Sequence, residues 1–330
     1  MGIRVFAAAV LLVLAAPVHA QVQTLKIATL APDGSAWMRE LRAAAAEAKD
    51  GTGGRVEVKF YPGGVMGSDA VVLRKMRLGQ LQGGILTASE LSLVYPDAPL
   101  YSLPFLFRDW DEVARVRAKV DPLLEQGLEE KGLHVLGISG VGFAYLMGAR
   151  PLQTQADWKT LKIWVPQNDA IAQRTFRLAG VGTVPLPIGD VFTSLQTGLV
   201  DTVANTPSGA IALQWHGKVR HLVDLPLTFV VGYLAVDGKA WDKLAPADRA
   251  VVDRAFRAAA QRMDANARRD DAAALEALRR QGVSVVTLAP EEAATWRELG
   301  TRVTAQMEAE GKIGAPMLAA VRAALDTGSP

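Results

Sequence analysis

The 330-residue chain contains no cysteine, which excludes disulfides, thiol catalysis and thiolate metal sites. Histidine is scarce. Of the four present, His19 falls in the leader described below and His134 opens a predicted strand. His216 and His221 miss the i, i+4 match that a helical metal pair needs. No metal site and no cofactor is therefore expected. A dominant charge is also missing, since 36 Lys and Arg oppose 34 Asp and Glu for a net +2. Without a basic tract to neutralise phosphates, nucleic acid binding has no footprint. Long apolar runs are absent after residues 5–16. That run follows a basic start ending at Arg4 and precedes the small-x-small stretch Val18-His19-Ala20, so 1–20 reads as a secretory signal cleaved after Ala20. It is too short to span a bilayer, and no cysteine offers a lipid attachment point. The expected location is the periplasm.

What is present is an α/β pattern long enough for two domains. Residues 184–208 read as a strand ended by Pro185 and Pro187, a helix over 190–197 stopped by Gly198, and a strand over 201–205. Glycine just past a helix takes a left-handed conformation without steric cost. Residues 56–89 repeat the order, with a strand ended at Pro62, a helix running to Leu78-Gly79 and a strand opening into Ser89. Two such units predict two α/β halves, each with a polar loop at the carboxyl end of a strand. Open α/β sheets bind ligands at that edge.

Elsewhere, 24–29 is a strand leading to a loop whose Asp33 or Ser35 can cap a helix over 37–49. Residues 103–107, Leu-Pro-Phe-Leu-Phe, form an apolar knot expected to pack between elements. A helix over 109–132, separate strands over 134–139 and 143–147, a strand over 161–165 and a helix from Ala170 follow. A helix over 210–218 precedes a strand over 228–236. The longest helix runs from Pro246 to Gln281, about 50 Å at 1.5 Å per residue, and is expected to tie both halves together. The alternative is a break near Asn266. A strand over 283–287 and a helix over 291–311 complete the pattern.

Five stretches carry a resemblance: Tyr61-Pro62-Gly63-Gly64 to Gly67, Leu78-Gly79, Leu103-Pro104-Phe105, Leu161-Lys162-Ile163-Trp164-Val165-Pro166, and Leu195-Gln196-Thr197-Gly198-Leu199-Val200-Asp201. In this order, behind a signal peptide, they resemble the solute-binding proteins of tripartite ATP-independent periplasmic (TRAP) transporters over nearly all of the mature length. The resemblance implies two α/β domains of the periplasmic-binding-protein type closing over a ligand, with crossover segments in mid-chain. The expected division is 21–141 with about 231–270, and 142–230 with about 271–330. It also implies delivery of a small organic solute to membrane permease subunits, with no chemistry on the solute. One departure stands out. Where the family has arginine in a Lys-Ile-Arg-Val-Pro stretch, this chain has Trp164. Guanidinium forks onto a ligand carboxylate, whereas tryptophan offers one N–H and no charge. Burying an unpaired carboxylate costs several kcal/mol, against about 8 kcal/mol for a micromolar binder in total. Another arginine (Arg39, Arg74 or Arg174) must reach in, or helix N-termini must meet the carboxylate, or the ligand is neutral with an apolar or ring body that stacks on Trp164.

The candidate ligand contacts are Trp164, Asn205, Phe143, Tyr145, Trp37, Thr87, Glu90, Gln167, Phe192 and Trp215. Asn205 follows the Gly198–Asp201 turn, at the family's ligand-facing asparagine, and can both donate and accept; its other reading is a cap on its own turn. Thr87 and Glu90 hold the matching edge of the first half. Phe143 and Tyr145 alternate with Ala144 on a crossover strand, so one face meets the cleft and the other is core. Gln167 and Asn168 follow the Trp164 strand, and Trp37, Phe192 and Trp215 are placed to form walls. A secreted hydrolase using Glu90 or Asp169, or a ligand-sensing module, is the alternative function. The serine motif Gly137-Ile138-Ser139-Gly140-Val141 lacks the last glycine of a nucleophile elbow.

Overall fold

The computed structural model describes residues 22–326; the leader expected over 1–20 lies outside them. Its strands are β1 (Gln23–Thr29), β2 (Val56–Tyr61), β3 (Gly83–Thr87), β4 (Leu133–Gly148), β5 (Ile163–Pro166), β6 (Thr183–Leu186), β7 (Thr202–Asn205), β8 (His221–Val223), β9 (Thr228–Asp237) and β10 (Ser284–Val286). They run in the order β2-β1-β3-β9-β4-β7-β5-β6, with β8 also on β4 and β10 on β8. β1 pairs in parallel with β2 and β3, and β5 with β6 and β7. These are the two α/β halves, or lobes.

Two strands join the lobes. β9 runs antiparallel to both β3 and β4. β4 pairs with β9 as far as Ala144, then with β7 from Tyr145 to Gly148. The two strands expected over 134–139 and 143–147 are thus one. Gly137, Gly140 and Gly142 lie at two register shifts, Val135/Gly137 and Gly140/Gly142, where the strand bulges without ending. Gly142 has φ 142°, and a Cβ there would meet the Asp271 carboxylate at 2.8 Å.

Each lobe buries apolar residues on both faces of its strands. In the first, Leu25 and Ile27 face one core with Met38 and Leu41, while Ala28 faces another with Leu86, Val116 and Tyr233. In the second, Ile163 and Val165 pack with Phe176, Trp158 and Trp296, and Trp164 faces the other way, onto Val191, Leu195 and Trp215. The alternation is the period of two that a strand imposes. The knot at 103–107 touches both lobes. Leu103 and Phe107 sit in a first-lobe core, and Phe105 packs on the second while its N–H donates to Leu227 O at 2.7 Å.

The helix Pro246–Arg280 is continuous through Asn266. Its first half buries Val252, Phe256 and Ala259 in the first lobe, and Leu278 enters the second. Alanines and Asp271 carry the stripe between them, so this middle lies close to β4. A helix not expected from the sequence, Ala315–Asp326, packs on Trp110–Glu129, with Met317, Leu318 and Val321 beside Val113, Val116 and Val120. Residues 315–326 therefore pack on the first lobe, within the stretch 271–330 that the expected division placed in the second.

Candidate functional site

The carboxyl ends of β3, β5 and β7 meet between the lobes. A cavity of about 140 Å³ lies there, lined by Thr87 and Ser89 after β3, Trp164 and Asp169 around the end of β5, Asn205 at the end of β7, and Ala144, Thr228 and Val231 of the crossing strands. Two further spaces adjoin it. One of about 180 Å³ is walled by Trp37, Leu41, Ile85, Leu213 and Met263 and shares Thr87, Ile188 and Asn205. A smaller one, about 50 Å³, takes in Glu90, Gln167 and Asn168. Both lobes contribute to every one of these walls.

Local structure fixes each polar side chain. Trp164 is buried, its Nε1 donates to Leu186 O at 3.0 Å, and its ring meets Trp215 edge to face at 5.1 Å. Asn205 turns its Oδ1 to the Thr206 N–H at 2.8 Å, so the turn-capping reading is realised on one side of the amide while the residue lines the cavity. Asp69 caps the loop at Thr87, accepting from its N–H at 2.9 Å and its Oγ1 at 2.8 Å. Asp169 caps the helix Ala170–Leu178 by accepting from Ala172 N at 2.8 Å. Glu90, in the first lobe, accepts from Asn168 Nδ2 in the second at 2.8 Å, a hydrogen bond that bridges the cleft.

Burial dominates the acidity of these groups. It pushes Asp169 up to about 6 against its helix N–H bonds. It pushes Asp69 to about 6 as well, with Thr87 opposing and Glu90 adding to the rise. No lysine, arginine or histidine is among the residues lining the three spaces. Among the described residues no three acidic or histidine side chains are grouped to hold a metal ion.

The cavities collect Trp164, Asn205, Thr87, Glu90, Gln167 and Trp37. Phe192 and Trp215 border a neighbouring opening with Pro32, Gly63 and Pro187, but Trp215 is a correction, since its ring is buried in a second-lobe core under Trp164. Phe143 is a second correction. Its ring joins Trp110 and Phe229 in a first-lobe core, 5.7 and 5.3 Å away. Ala144, on the opposite face of β4, is the residue that lines the cavity. Tyr145 shares the Phe143 face and is half-buried in register with Asn205, with its hydroxyl pushed up to about 12 by burial and by Asp271 and Asp224. The Thr228–Val231 stretch is not among the sequence-based contacts, and Asp169 is named only as an acid of the alternative hydrolase reading. Asp169 is recognisable as an N-cap, but nothing local marks that cap as a cavity wall.

The arrangement encloses a space that both lobes wall. Comparison with known proteins decides its class. Residues 27–310 match the family described as DctP, bacterial extracellular solute-binding protein, family 7. The chain belongs to that family. It is 29% identical to the C4-dicarboxylate-binding periplasmic protein DctP of Rhodobacter capsulatus, over 98% of this chain and 97% of that one. It is 30% identical to a solute-binding protein of Chromohalobacter salexigens, over 70% of this chain and 68% of the other. The sugar acid binding protein of Advenella mimigardefordensis, solved with galactonate, superposes with a TM-score of 0.87 over 94% of this chain and 99% of its own, at 22% identity. A TRAP periplasmic solute-binding protein of Ochrobactrum anthropi superposes at 0.79 with 27% identity, covering 93% and 96%. As a DctP-family member, the chain is a periplasmic solute receptor of the TRAP type and not an enzyme. No helix among the described residues is long and apolar enough to cross a membrane.

Proposed function

We propose that the receptor is exported by cleavage after Ala20, captures one small organic solute between its lobes and hands the closed form to the membrane permease of a TRAP transporter. The observation that carries this is the cleft itself, since both lobes wall it and only β4 and β9 cross as sheet strands. The two bulges of β4 serve as the hinge, and closure of this kind is driven by the ligand's greater affinity for the closed form. Each lobe is a unit of the two-domain division, with the helix Ala315–Asp326 returning to the first. Trp164, Asn205 and Thr87 form the contact set, Glu90 and Gln167 the closing rim, and Trp37 the apolar outer wall. C4-dicarboxylates and galactonate are named for relatives, so the solute class is an organic acid or an apolar or aromatic compound. Native mass spectrometry of residues 21–330 as purified tests the reading. A single small molecule retained and released unchanged supports a receptor; conversion of it refutes one. Stimulated uptake by the permease in proteoliposomes tests delivery.

A further inference from the structure

Cations are missing from the whole cleft. None of the residues lining its three connected spaces is Lys, Arg or His, whereas Asp169, Asp69 and Glu90 all line them, each less than a tenth exposed. The three arginines that might have compensated are elsewhere. Arg174 is bidentate to Glu310 and also meets Gln306, each at 2.7–2.8 Å. Arg39 donates to Gly34 O at 3.0 Å, and Arg74 is exposed on the helix Asp69–Arg77.

Three neutral donors are committed as well, while Asn205 keeps its Nδ2 for a ligand acceptor. Trp164 Nε1 is spent on Leu186 O, Thr87 Oγ1 on Asp69, and Thr175 Oγ1 on Ile171 O at 2.8 Å. Helix N-termini give no relief. The Ala170–Leu178 helix already holds the Asp169 carboxylate, and the Pro207–Ala212 helix is capped by Thr206 and begins with a proline that has no N–H. An incoming carboxylate would lose its hydration, meet no cation and face a buried carboxylate, the situation in which ion burial goes uncompensated. The remaining wall is apolar: Ala144, Val165, Pro166, Ile188, Leu227 and Val231. Its space, and that beside Trp37, each approach the ~150 Å³ that takes a benzene-sized ring.

We infer that this receptor's solute carries no carboxylate: it is a non-anionic compound with an apolar or ring body and a hydrogen-bond-donating end, an amide, alcohol or amine. The inference rests on the receptor reading and narrows it. Thermal-shift and calorimetric titrations of residues 21–330 test it with matched probes: succinate against succinamide, benzoate against benzamide and benzylamine, phenylacetate against phenylacetamide and phenethylamine. Binding confined to the amide and amine arms, about a hundredfold or more tighter than the matching acid, is the expected result. The same holds if the molecule retained on purification lacks a carboxylate. Tighter binding of the acids, or a retained acid, overturns the inference and leaves the receptor intact. No probe bound and nothing retained overturns both. Asp169→Asn, which keeps the helix cap, is expected to raise acid affinity about tenfold or more relative to its amide; an unchanged ratio counts against the inference. Trp164→Arg, if it folds, should admit acids, and an unchanged ligand profile would remove Trp164 from the pocket.

Discussion

Two groups of carboxylates, one partly buried and one buried, are treated in opposite ways in this protein. Beside the β4 bulges, Arg117 pairs with Asp121 and Asp264, both at 2.8 Å, and donates to Ile138 O at 2.7 Å. Asp264 in turn accepts from the Gly140 N–H at 2.6 Å, which pins the β4 bulge to the long helix. Burial pushes Asp121 up, and Arg117 opposes that push. In the cleft, Asp169 and Asp69 are buried with only N–H and O–H partners and no cation. The fold therefore supplies a largely buried cation where it fixes geometry, and places none on the walls of the cleft. The cleft's lack of positive charge is local, not a consequence of a chain poor in arginine.

The largest expected effect breaks the paired side. Arg117→Met leaves two partly buried carboxylates without their cation, and the loss is expected to reach about 2–3 kcal/mol, below the roughly 3–5 kcal/mol of a fully buried pair. Guanidinium denaturation at pH 7 reads it. A loss below about 1 kcal/mol would show that water replaces the guanidinium and that the two regions do not differ.

The next acts on the unpaired side and has the opposite sign. Asp169 titrates at about 6 in the fold against an ordinary 3.8. The folded state thus holds the proton more tightly, so this group's favourable contribution is complete below 3.8 and is lost as pH rises through 6. Asp169→Asn keeps the cap and removes the charge. It should stabilise the protein at pH 7.5 by up to about 3 kcal/mol, shrinking to nothing near pH 4. Denaturation of both proteins across that range measures the difference. A variant less stable at pH 7.5 would mean that the charge is compensated after all.

How much of this contrast was legible in the sequence depends on the kind of feature. Helix caps and stops are local, so Ser35, Asp109 and Gly198 mark the ends that the structure shows. The resemblance to the TRAP receptors places Trp164 and Asn205 at the cleft, and both line the space between the lobes. The face of β4 was not legible. Each bulge inserts a residue and inverts the alternation, so whether Phe143 or Ala144 meets the cleft depends on two events that the glycines permit but do not specify. The partner of a buried charge was also hidden. Arg117 and Asp264 lie 147 positions apart, and nothing near either one names the other. A cap such as Asp169 reads the same whether its helix end faces solvent or a cavity.

A smaller effect concerns the contact that crosses the cleft. Asn168→Ala removes the donor that meets Glu90 at 2.8 Å and leaves the buried carboxylate short of a partner. The cost falls on the closed form alone, about 1.5–3 kcal/mol for a hydrogen bond to a charged group. Small-angle scattering of the ligand-free protein should show a more open average, with weaker ligand binding and little change in unfolding. An unchanged radius of gyration would place closure under other control.

The smallest expected effect sharpens the comparison most directly. Arg174 is an arginine available to either region, close in sequence to Trp164 and Asp169. Its charge is spent on Glu310 at 2.7 Å, with the glutamate side chain 43% exposed. Exposed pairs contribute about 0–1 kcal/mol, so Arg174→Gln should lower stability by less than that and leave ligand affinity unchanged. Calorimetric titration with the solute retained on purification checks the second point. If affinity fell tenfold, Arg174 would swing into the cleft on binding, and the withheld cation would prove to be one delivered only with the ligand.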